Sequence, residues 1–184
     1  MKTIDIRLNS TEVNLLKSLI GKRLQCYLHD EFMFTPSSTQ AIQLIMEDDK
    51  PYYLYSFTEP QDYFGTQEDV AIWTFQENRL PIIESKQFIK VPVGEIIHSI
   101  ILVQENQRLY NDDNEQTYDV WLTRGIIISF GDHQVAFEKD IWFSEEIIVH
   151  KGYDLVNQLS STDSFGEDWD GNVRTECSRI EQTL

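Results

Sequence analysis

Between residues 22 and 149 the chain consists of short runs rich in Ile, Val, Tyr, Phe and Trp, separated by turn-forming residues. β-Branched and aromatic side chains suit a pleated, half-buried surface, so this pattern predicts a mostly β body. Strands are expected near residues 24–29, 41–46, 52–57, 70–75, 96–104, 118–123, 126–130 and 134–138. The connections are hairpin-sized, Asp48-Asp49-Lys50-Pro51 among them, which favours antiparallel pairing. Repeated βαβ spacing is absent, so a doubly wound parallel sheet is not expected.

One hairpin specifies its own register. Gly131-Asp132 suits a two-residue type II′ turn, with Gly at the first central position. That turn sets Phe130 opposite His133, Ile128 opposite Val135 and Ile126 opposite Phe137, so turn chemistry and apolar pattern agree. The run 118–123 is bulky on both faces (Tyr118, Val120 and Leu122 against Trp121), which suggests layers on both sides. The stretch after Trp142 is ambiguous: Ser144-Glu145-Glu146 suits a helical turn, whereas Ile147-Ile148-Val149 suits a strand.

Only residues 10–20 make a helix case. Asn9 is a candidate N-cap with Glu12 at capping-box spacing, Leu8 and Val13 can form a hydrophobic staple, and Gly21 supplies a stop. The expected fold is therefore α+β, predominantly antiparallel β, as a curved sheet, sandwich or partial barrel with an N-terminal helix packed on it. Residues 1–156 are expected to form a single β-rich domain. Residues 157–184 read as an acidic tail, docked or mobile, with Phe165, Trp169, Val173 and Ile180 as possible anchors.

Charge narrows the partners. Asp and Glu number 31 against 15 Lys and Arg, a net charge of −16. Such a surface repels phosphate backbones and anionic lipid, so neither nucleic acid nor a membrane is an expected partner; a basic protein is. No run of about 20 apolar residues is present, the N-terminus lacks an apolar signal core, and two distant cysteines suit a reducing compartment. The expected location is cytoplasmic; oligomeric state is not legible.

No catalytic signature accompanies this charge. Nucleophile elbows, phosphate loops and paired-ligand zinc spacings are missing. Cys26 and His29 differ by three positions, so on one strand they point to opposite faces, and Cys26 reads as a core residue. Asp168-Trp169-Asp170-Gly171-Asn172 fails the EF-hand template, because Gly166 and Cys177 would occupy oxygen-ligand positions. No cofactor is expected, and no catalytic or metal-binding residue is assigned.

The candidate interaction residues are Tyr53 and Tyr55 in an aromatic-rich run, Asp112, Asp113 and Glu115 in a polar loop, and Glu145 and Glu146 after Trp142-Phe143. The leading expectation is a non-catalytic protein-binding module. Immunity- or antitoxin-type inhibitors of a basic nuclease have this physical character, by analogy only. The alternative is a small-molecule-binding protein or enzyme with a pocket in the β body. A filled body with an exposed acidic patch favours the first; a closed pocket or a water-excluding cluster of titratable groups in a cleft favours the second.

Overall fold

The computed structural model describes residues 1–30, 38–63, 66–79, 88–167 and 173–184. Two largely antiparallel sheets face each other. The first carries β1 (Lys2–Ile6), β3 (Ser38–Thr39), β8 (Ser99–Tyr110), β9 (Gln116–Ser129), β10 (Gln134–Lys139), β11 (Ile147–Gly152) and β12 (Arg174–Thr183). Its order is β12-β8-β9-β10-β11-β3, with β1 parallel to the first half of β9. The second holds β2 (Arg23–Asp30), β4 (Ala41–Met46), β5 (Pro51–Tyr63), β6 (Thr66–Gln76) and β7 (Phe88–Ile96), in the order β6-β5-β4-β2-β7. The α+β, mainly antiparallel reading therefore holds. Among the described residues no helix is long and apolar enough to cross a membrane.

The inner faces meet in one core. Leu24, Tyr27, Leu44, Leu54, Trp73 and Phe75 from the second sheet pack with Ile100, Leu102, Ile126, Ile128 and Phe137 from the first. Helix α1 (Ser10–Lys17) adds Leu16 to this core. Its capping box forms as the sequence predicts: Asn9 Oδ1 accepts from the Thr11 and Glu12 backbone N–H groups, and the Glu12 carboxylate accepts from Asn9 N–H. The helix ends at Lys17 rather than running to residue 20. Leu19 and Ile20 instead donate three residues back, tightening the last turn before Gly21.

The 131–132 hairpin has the predicted register: Ile128 pairs with Val135, Ile126 with Phe137, and Phe130 N–H donates to His133 O. Gly131 supplies the turn with φ +101°. The stretch after Trp142 resolves in favour of strand β11. The runs 118–123 and 126–130 are one strand, β9, interrupted by a bulge. Val103 pairs with Gly125 and Gln104 with Thr123, so Arg124 has no partner across β8. On its other edge β9 changes neighbours at the same place, from β1 (ending at Leu122) to β10 (ending at Gly125).

Trp142 and the segment 155–165 lie over the outer face of the first sheet. Leu155 and Leu159 lie on Val103, Ile127 and Ala136, while Trp142 and Phe165 join Ile4, Ile6, Val120 and Leu122. A Cβ on Gly125 would stand 3.1 Å from Leu159 Cδ1, so glycine permits this close approach. Val173 packs on the second of these clusters, Ile180 is exposed, and Trp169 lies outside the described residues, as does the rest of 168–172.

Candidate functional site

The bulge at Arg124 opens onto a buried polar cluster. Arg124 Nε and Nη2 lie 3.1 and 3.0 Å from Glu138 Oε1, and its Nη1 donates to Asp140 O at 3.1 Å. Glu138 is fully buried; it also accepts from Ser160 N–H at 2.8 Å and contacts His150 Nε2 at 2.7 Å. Glu105, 2% exposed, accepts from Arg179 Nε at 3.1 Å and from Gln107 Nε2 at 2.9 Å. Trp142 Nε1 closes the chain by donating to Gln107 Oε1. Arg179 Nη2 also reaches Ser160 O at 2.6 Å, which ties β12 to the segment lying over the sheet.

Two carboxylates thus face two guanidiniums, each hydrogen-bonded, the condition under which buried charge is tolerated. The adjoining cavity, lined by Glu105, Gln107, Arg124, Trp142 and Phe165 among others, holds about 20 Å³. That is room for about one water, against roughly 300 Å³ or more for an ordinary ligand site. The cluster has no space for a substrate beside it. Its geometry is that of a clamp holding Ser160 and β12 to β8, β9 and β10.

Cys177 lies against this clamp. Burial, reinforced by the Glu105 carboxylate, pushes its thiol up to about 12 from an ordinary 9.0. The thiolate is the nucleophile, so Cys177 is expected to stay unreactive toward Ellman's reagent at pH 8 in the native protein. It should react when the chain is unfolded in guanidinium. Rapid modification of the native Cys177 thiol would contradict this environment. Cys26 is 1% exposed in the core.

A different concavity opens at the surface. Thr58 of β5, Asp69 of β6, Gln40 and residues 143–146 border a groove of about 580 Å³. Its position follows from how the sheets are joined there: Ala71 N–H donates to Trp142 O at 2.6 Å, and Lys139 Nζ donates to Ala71 O at 2.7 Å. The 141–146 segment is thereby held beside the β5–β6 hairpin. Glu145 accepts from Gln40 Nε2 and, at 3.4 Å, from Thr58 Oγ1, both neutral donors that leave its negative charge uncancelled. Phe143 is 47% exposed. Among the described residues lining this groove, none is basic.

A second trough, of about 950 Å³, runs between α1 and the end of β6. Its carboxylates are already engaged. Glu12 accepts from Thr74 Oγ1 at 2.7 Å and Phe75 N–H at 3.1 Å, and Glu77 pairs with Lys50 at 2.6 Å.

Of the residues singled out by sequence, Glu145 and Glu146 alone lie together in a groove. Tyr53 and Tyr55 are buried, stacked at 5.6 Å in a cluster with Ala41, so they present no interaction surface. Tyr52 and Leu54 alternate onto the opposite face and join the inter-sheet core. Asp112, Asp113 and Glu115 are exposed in the turn between β8 and β9. Asn111 Oδ1 accepts Glu115 N–H there at 2.8 Å, and Asn114 takes the left-handed conformation at φ 61°. Asp69 was missed because it lies in the acidic first part of β6, just before the apolar run 70–75 by which the sequence marks that strand. Comparison with family models, with curated proteins and with solved structures finds no match to this chain.

Proposed function

We propose that this protein is a non-catalytic binding module that receives a basic side chain of a protein partner in the groove bordered by Asp69, Phe143, Glu145 and Glu146. The observation that carries this reading is the makeup of the groove: three carboxylates and an exposed aromatic ring around about 580 Å³, with no lysine or arginine among the described residues that line it. A concave acidic wall concentrates negative potential, and an aromatic face adds cation–π attraction to a guanidinium or ammonium group. The net charge of −16 steers a basic partner toward the protein and repels acidic competitors. Inhibitors of the immunity or antitoxin kind work by this physics. A pocket for an apolar small molecule has less support, because three carboxylates border the groove and it is open.

The test is fluorescence anisotropy with a labelled arginine-rich peptide, at low and high salt. The Asp69→Asn/Glu146→Gln variant is expected to bind about tenfold more weakly, with a shallower salt dependence. Equal binding by variant and wild type places the peptide elsewhere on the acidic surface and overturns the reading. Free arginine or spermidine binding as tightly as the peptide replaces it with a small-cation site.

A further inference from the structure

At the opposite end of the sheet interface, three ligand-bearing residues converge from one strand and one turn. Glu95 follows Gly94, which has φ +79°, near the end of β7 in the second sheet. Asp132 and His133 follow Gly131 in the β9–β10 turn of the first. One ligand atom from each lies within 4.8 Å of the others. His133 Nδ1 is 2.9 Å from Asp132 Oδ1, and His133 Nε2 is 3.7 Å from Glu95 Oε1.

The two ring nitrogens have different surroundings. A neutral imidazole that donates Nδ1–H to Asp132 carries its lone pair on Nε2. That lone pair then faces the Glu95 carboxylate, two acceptors across 3.7 Å. A metal ion between them would be held by both acceptors at once. Donors about 2.0–2.1 Å from one zinc-like ion stand roughly 3.3–3.5 Å apart at a tetrahedral angle, so a small contraction seats the ion. A carboxylate on the other ring nitrogen is the usual outer partner of a metal-bound histidine, where it fixes the tautomer.

We propose that His133 Nε2 and Glu95 Oε1 bind a divalent transition-metal ion of the zinc class, with Asp132 orienting the imidazole and water completing the coordination. The ion would join the two sheets at this end. Histidine spacing in the sequence gives no hint of it, since Glu95 and His133 meet only through the fold.

Calorimetric titration of the full chain with zinc chloride tests the site, with thermal unfolding as the second readout. The wild type is expected to bind one equivalent saturably below about 1 mM and to melt at a higher temperature with zinc present. His133→Ala and Glu95→Gln are expected to abolish both effects, and Asp132→Asn to weaken binding by about tenfold or more. His98→Ala, whose imidazole lies over Gly131, is expected to leave binding intact. Absence of saturable binding overturns the proposal. So does binding that survives His133→Ala.

Discussion

Arg124→Met is expected to destabilise the fold by about 3–5 kcal/mol, read as a lower urea midpoint with an unchanged slope. The substitution keeps much of the side chain's length but strands Glu138, which is fully buried and otherwise held by Ser160 N–H and His150. An uncompensated carboxylate in that position costs far more than the lost guanidinium contacts themselves. The companion measurement is the Arg124→Met/Glu138→Leu double variant. Removing both charges should cost less than the sum of the two single changes, because neither partner is then left alone. Additive losses, or a single-variant loss under about 1 kcal/mol, would show that the clamp is not a coupled unit.

The second large effect concerns pH. Lys139 is 1% exposed, and burial, aided by the nearby Arg124 charge, lowers its amine to about 7 from an ordinary 10.5. Its contacts are Ala71 O at 2.7 Å and the Trp73 ring at 5.5 Å, neither of which carries charge. Above pH 7 the unfolded chain keeps this proton while the folded chain releases it, so stability rises with pH. The slope approaches about 1.4 kcal/mol per pH unit and persists until the unfolded amine also titrates. Cys177 acts in the opposite sense above pH 9, where the folded thiol keeps a proton that the unfolded thiol has lost. The clear window is therefore pH 7–9. There Lys139→Met should remove the upward slope, and below pH 7 it should be the more stable protein by a few kcal/mol, since methionine is buried without losing a charge. Parallel wild-type and variant stability curves across pH 7–9 would contradict this reading of Lys139.

The legible parts of the fold are those with local causes. Asn9 and Glu12 cap α1 through contacts three residues apart, and Gly131 sets its hairpin without outside help. The missed strands are those with little alternating apolar content. β12 is exposed along most of its length, and β7 buries none of its residues deeply. What places them is backbone pairing to β8 and β2, which side-chain pattern does not encode. The clamp was invisible for a related reason. Glu105, Arg124, Glu138 and Arg179 read as ordinary surface charges until the chain brings them together from three strands and a bulge. The groove was half legible: Glu145 and Glu146 stand out beside Trp142-Phe143, but Asp69 joins them only because β5 and β6 form a long hairpin.

The arrangement of strands has a consequence for how the chain acquires its shape. Every pairing in the second sheet falls between residues 23 and 96, whereas the first needs β1, from residue 2, and β12, ending at residue 183. Loop-closure entropy delays contacts between distant segments. The shorter-range sheet can assemble while later residues are still being synthesised, and the other acquires its full complement of strands only when residues 174–183 arrive. Glu105 awaits the Arg179 hydrogen bonds until that moment, so a nascent chain lacking β12 carries an interior anion whose remaining ion pair is Arg124 at 3.9 Å.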